Sequence, residues 1–86
     1  MKIEKKCHPE FFEQILNGNK TFELRLADWK CNVGDTLILK EWDPKSKEYT
    51  GRLVEKQIKY ILKTKDIKYW SKEDIEKYGY QILALR

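Results

Sequence analysis

The apolar positions of the chain change period twice, and each change marks an element. Lys2-Ile3-Glu4-Lys5-Lys6-Cys7 alternates weakly, which predicts a short first strand. Pro9 then stands at a first helical position with His8 beside the cap. Phe11, Phe12, Ile15 and Leu16 recur at i, i+1, i+4 and i+5, a single apolar stripe, and Gly18 follows where helices turn into the left-handed region and stop. From Thr21 the period becomes two. Phe22, Leu24 and Leu26 share one face of a predicted strand, and Thr21, Glu23 and Arg25 share the other.

Ala27 to Gly34 reads as a loop ending in a Val33-Gly34-Asp35 turn. Thr36 to Trp42, nearly continuously apolar at its centre, reads as a buried strand. Asp43-Pro44-Lys45-Ser46-Lys47-Glu48 is turn chemistry, so a hairpin is expected, with a return strand from Tyr49 to about Leu62 and a bulge at Gly51. Residues 63–79 form a polar connection in which Ser71-Lys72-Glu73-Asp74 starts a short helix that Gly79 ends. Tyr80 to Leu85 is apolar enough for a closing strand inside a sheet. The expected fold is therefore α+β: a small barrel-like sheet of about five strands, with a helix after the first strand covering one open end and a short late helix. With no alternating βαβ units in the pattern, a doubly wound parallel fold is not expected, and residues 1–86 are read as one domain.

Composition narrows the partners only slightly. A chain of 86 residues buries about 60–65% of its unfolded surface, so the core must be small and aromatic-rich. The net charge of +4 suits an anionic partner, but fifteen of the eighteen basic residues are lysine, which serves solubility as readily as phosphate binding. Cys7 and Cys31 stand at no metal-ligand spacing, and His8 is the only histidine, so neither a metal nor another cofactor is expected. Residues 1–9 have no apolar core of a signal peptide, and no stretch approaches the roughly 20 apolar residues that span a bilayer. Reduced thiols in the cytoplasm are the expectation.

The candidate chemistry lies in Gly18-Asn19-Lys20-Thr21-Phe22-Glu23-Leu24-Arg25, where a helix stop runs straight into an alternating strand. Glu23 and Arg25 share a face about 6.5–7 Å apart. There they either pair as an ordinary solvated strand face or bracket a small polar ligand, with Lys20 reaching the same space. Trp42, ending a strand beside a charged turn, is the candidate for stacking on a base. Trp29 is a second one, and packing over the hairpin is the competing reading for Trp42. Glu41, Asp43 and Asp35 read as turn residues, and Tyr69-Trp70 offers a surface for a protein partner.

The spacing G-x-K-x-x-E-x-R, matched by Gly18, Lys20, Glu23 and Arg25, resembles the signature of the activating-signal-cointegrator homology (ASCH) domain. His8-Pro9-Glu10-Phe11-Phe12, Glu41-Trp42-Asp43-Pro44 and Glu48-Tyr49-Thr50-Gly51-Arg52 resemble the helix start and hairpin of short stand-alone members. The resemblance implies a PUA-like β-barrel that binds RNA or a modified nucleotide in a cleft between barrel and first helix. Gly18, Lys20, Thr21, Glu23, Arg25 and Trp42 would then be the ligand-binding residues. One branch of that family hydrolyses acetylcytidine with a lysine, a threonine and a glutamate. If this chain were such an enzyme, Lys20 and Glu23 would be catalytic. Glu23, however, stands where that branch has its threonine, and a carboxylate there works against a neutral lysine nucleophile. The sequence thus supports an RNA- or nucleotide-binding module first, with an amidohydrolase and a protein-interaction module as alternatives. Its oligomeric state is open.

Overall fold

The computed structural model describes residues 1–85. Strand β1 (Lys2–Cys7) leads into helix α1 (Pro9–Leu16), and a long connection reaches β2 (Thr36–Asp43), which turns into β3 (Glu48–Gln57). A single 3-10 turn at Thr64–Asp66 and helix α2 (Lys72–Tyr78) follow. The sheet order is β1-β2-β3, with β1 parallel and β3 antiparallel to β2. In register, Lys2 lies against Thr36 and Cys7 against Glu41.

Two expectations are corrected. The sheet is open and three-stranded, so the five-stranded PUA-like barrel is not formed, and no helix closes a barrel end. Residues 21–26 and 80–85 are not strands, and the return strand stops at Gln57. The local bonding explains two of these endings. Ile58 donates to the Asp35 carbonyl and accepts from Gly34 N, both at 2.8 Å, which draws the chain onto the turn before β2. At the β1 edge, Arg25 Nη2 takes the Lys6 carbonyl, so a side chain occupies an acceptor that a further ladder would use. The second correction concerns the crossover: β1, α1 and β2 form a parallel βαβ unit, which the alternation test missed because the helix and β2 are separated by a long irregular connection.

The core sits between α1 and the inner face of β2. Alternation along β2 buries Leu37, Leu39 and Glu41, while Thr36, Ile38, Lys40 and Trp42 face outward. Phe12 and Ile15, one helical turn apart, pack with Leu37, Leu39 and Cys7, and Ile3, Trp29, Val54 and Ile58 surround them. Phe11 and Leu16, the outer members of the predicted stripe, remain half exposed. The capping motif of α2 forms as read, with Ser71 Oγ accepting from Asp74 N at 3.1 Å. Gly51 has φ +96° and lies in a bulge, where Glu41 alone stands between Lys40 and Trp42 against Thr50, Gly51 and Arg52 of β3. No helix among the described residues is long and apolar enough to cross a membrane.

Candidate functional site

The helix stop places the first polar side chain. Gly18 has φ +82°, a conformation side-chain-bearing residues rarely adopt, and it turns the chain back along the end of α1. Lys20 N then donates to the Gln14 carbonyl at 2.9 Å, which fixes the turn. From there Lys20 Nζ donates to the Phe22 carbonyl at 2.8 Å and to Glu23 Oε1 at 2.9 Å. It also lies 4.8 Å from the Phe22 ring centre. Glu23 Oε2 accepts from Arg25 Nε at 2.9 Å, and Arg25 Nη2 donates to the Lys6 carbonyl at 2.6 Å.

Glu23 therefore bridges two cations, and all three side chains are partly buried. This inverts the predicted faces at residues 23–26. Glu23 and Arg25 turn toward the body of the protein, whereas Leu24 is 67% exposed and Leu26 is 79% exposed. The Lys6 carbonyl draws Arg25 in, and Lys20 and Arg25 draw Glu23 in, which leaves Leu24 and Leu26 outward.

Arg25 is held in place but not used up. Among the described residues its Nη1 carries no protein hydrogen bond. The guanidinium walls an open groove of about 460 Å³, lined also by Glu4, Lys5, Lys6, Lys40 and Tyr49. Lys40 Nζ lies 3.3 Å from Glu4 and 4.7 Å from the Tyr49 ring centre. The groove lies along the parallel β1–β2 pair, between Glu4, Lys5 and Lys6 of β1 and Lys40 of β2.

The other residues singled out in the sequence lie elsewhere. Gly18 and Thr21 border a separate hollow of about 170 Å³ with Asn19, Ala84 and Leu85. Trp42 stands on the outer sheet face, its ring stacked on His8 at 6.2 Å and 28°, with Lys6 Nζ 4.4 Å from its centre. Trp29 is partly buried against the core, with Lys5 Nζ 4.0 Å from its ring centre. Tyr69, Trp70 and Tyr80 form an edge-to-face row outside this region.

Sequence reasoning missed the interior carboxylate. Glu41 is not a turn residue: it lies inside β2, is 3% exposed, and accepts from Arg52 Nε at 2.9 Å, Arg52 Nη2 at 2.8 Å and Thr50 Oγ1 at 2.5 Å. Arg52 Nη2 also bonds Glu13 of α1, and its guanidinium lies 4.9 Å from the Phe12 ring centre. The Gly51 bulge lets Thr50 and Arg52 converge on one partner, and an acid at a core-facing position of β2 was its only sequence signal. The Arg52 and Thr50 hydrogen bonds hold the Glu41 carboxyl below the usual range, and the hydrogen bonds to Glu41 and Glu13 raise Arg52.

Cys7 lies between the two ionic networks. Burial pushes its thiol up, Glu23 and Glu41 add to the rise, and Lys20 and Arg25 oppose it. Lys6, Lys40 and Tyr49 were missed for a different reason: only the strand register places them beside Arg25. The arrangement is equipped to hold an anion. Lys20 Nζ is engaged by two oxygens, Glu41 is saturated, and the Cys7 thiol is held in its protonated form, so none of the three is presented as a nucleophile.

Residues 3–84 match a family described as Domain of unknown function (DUF3850). Over 63 residues the chain is 40% identical to an uncharacterized 12.9 kDa protein in the GpA 3′ region of Escherichia phage P2. That match takes in 73% of this chain and 56% of the phage protein, so the chain spans little more than half the length of that relative. No solved structure matches.

Proposed function

Because the chain belongs to the DUF3850 family, whose name assigns no activity, we propose from its own geometry that it is a binding module for a nucleotide-class ligand. The ligand, free or as part of an RNA, has its phosphate against Arg25 in the groove along the β1–β2 pair. The observation that carries this reading is the oriented guanidinium. Glu23 and the Lys6 carbonyl fix its plane, and its remaining donor edge is left for a planar or tetrahedral anion beside Lys6 and Lys40. Tyr49 supplies an aromatic surface for a base at the same groove. The resemblance of Gly18, Lys20, Glu23 and Arg25 to the ASCH signature supports the same ligand class, with a changed division of labour. Arg25 contacts the ligand, while Lys20 and Glu23 set its orientation. The cytoplasm, where thiols stay reduced, is the compartment this reading supposes.

The test is calorimetric titration with uridine monophosphate and uridine at low salt. The monophosphate is expected to bind and uridine to bind at least tenfold more weakly. Arg25→Lys is expected to lose most of the affinity, because a point charge does not replace the fork. Glu23→Gln is expected to weaken binding less. Equal affinity for nucleoside and nucleotide, or an Arg25→Lys variant that binds like the parent, would refute the proposal. Hydrolysis of an acylated cytidine would need a free Lys20 amine, and its two oxygen partners lend that alternative no support.

A further inference from the structure

The outer face of the sheet carries an arrangement that the groove alone does not explain. Parallel pairing sets Lys6 directly opposite Lys40, two like charges on one face where neighbours of opposite sign are favoured. Elsewhere that face is balanced: Lys2 lies 3.2 Å from Glu55, and Lys40 pairs with Glu4. Lys6 makes no ion pair among the described residues. Its ammonium instead rests 4.4 Å from the centre of Trp42 and 6.0 Å from that of Tyr49, which are cross-strand partners on β2 and β3. Lys40 covers Tyr49 in the same way. Two aromatic rings thus lie side by side on an open sheet, Trp42 carrying His8 and the unpaired Lys6, Tyr49 carrying Lys40, which also pairs with Glu4, and Arg25 stands at one end.

We propose that this face is a track for single-stranded nucleic acid, with one base stacking on Tyr49, the next on Trp42, and the phosphate between them taken by Lys6. The inference rests on the nucleotide reading of the Arg25 groove and extends it from one nucleotide to a strand. The exchange is favourable. A lysine resting on an exposed ring contributes about 2- to 5-fold in affinity, whereas a base stacked on an aromatic side chain contributes about 5- to 100-fold. The displaced ammonium then meets a phosphate and no longer only faces Lys40. The fit is to a flexible single strand, because both bases must leave any duplex stack to lie flat on the rings.

The experiment compares a fluorescein-labelled oligouridylate of eight nucleotides with uridine monophosphate, using the whole protein, Trp42→Ala and Lys6→Gln. The expected result is tenfold or tighter binding of the octamer. Trp42→Ala is expected to weaken the octamer about 5-fold or more while leaving the monophosphate unchanged, since Trp42 does not line the Arg25 groove. Lys6→Gln, an exposed and conservative change, is expected to lower the salt slope of octamer binding by about one phosphate contact. It also keeps the test decisive if Trp42→Ala fails to fold. Octamer and monophosphate binding alike, or an octamer indifferent to both substitutions, would overturn the track and leave the nucleotide groove standing. A duplex bound as well as the single strand would overturn it too. Absence of binding by both probes would remove the nucleotide reading with it.

Discussion

Truncating Leu24 and truncating Phe12 are expected to have opposite consequences, and the contrast follows directly from where the two side chains lie. Phe12 is 1% exposed at the centre of the α1–β2 core, with the Arg52 guanidinium over its ring. Phe12→Ala removes the ring, leaves a cavity, and costs about 3–5 kcal/mol. For a domain of this length the whole stability is about 4–13 kcal/mol, so the variant loses a large share of it. Its melting temperature falls by at least 12 °C, at about 4–8 °C per kcal/mol. Leu24 is 67% exposed on the segment whose polar side chains face inward. Leu24→Ala is therefore expected within about 0.5 kcal/mol of the parent, a change of under about 4 °C. Urea unfolding followed by tryptophan fluorescence and circular dichroism measures both. If Leu24→Ala cost about as much as a buried leucine, roughly 2–5 kcal/mol, residues 21–26 would be a buried strand. The inverted faces and the open three-stranded sheet would then be wrong.

Two further predictions follow from local geometry. Because hydrogen bonds from Arg52 and Thr50 depress the Glu41 carboxyl in the folded state, its contribution to stability is complete above the ordinary glutamate range and is lost as pH falls through the depressed value. Glu41→Gln should therefore be clearly less stable than the parent at pH 7, with the gap in urea midpoint closing toward pH 3. A gap that stayed constant with pH would show that the carboxylate charge is not what holds Thr50 and Arg52 of β3 onto β2. Gly18→Ala meets no neighbouring atom, so its cost comes from the left-handed backbone alone, about 1–2 kcal/mol by thermal melting. No measurable cost would mean that the helix stop is not built as described.

How much could be read in advance depended on whether the governing interactions were local. Helix α1 and its stop at Gly18, the hairpin with its bulge at Gly51, and the Ser71 cap of α2 all follow from short-range chemistry, and the structure contains each of them. The long-range features were not legible. Whether β1 pairs parallel with β2 depends on a crossover whose period-two stretch at 21–26 forms no strand, and the closed barrel required pairings that residues 21–26 and 80–85 do not make. In the candidate site, Lys20, Glu23 and Arg25 are close in sequence and the structure brings them together. Lys6, Lys40 and Tyr49 reach Arg25 only through strand register, and Glu41 meets Arg52 and Thr50 only because the hairpin folds them face to face. Alternation rightly grouped Glu23 with Arg25 and Leu24 with Leu26, but not Thr21, which is exposed, or Phe22, which is half-buried. It could not tell which face turns inward, because two carboxylate-centred networks and not the leucines settle that choice.

The central claim is that Arg25 marks the ligand groove, and the most direct measurement is a two-dimensional NMR titration of isotopically labelled protein with uridine monophosphate. The account predicts amide and side-chain shifts that cluster on Lys6, Arg25, Lys40 and Tyr49, and that Arg25→Lys abolishes. Shifts confined to Gly18, Asn19, Thr21, Ala84 and Leu85, or no shifts at all, would contradict it.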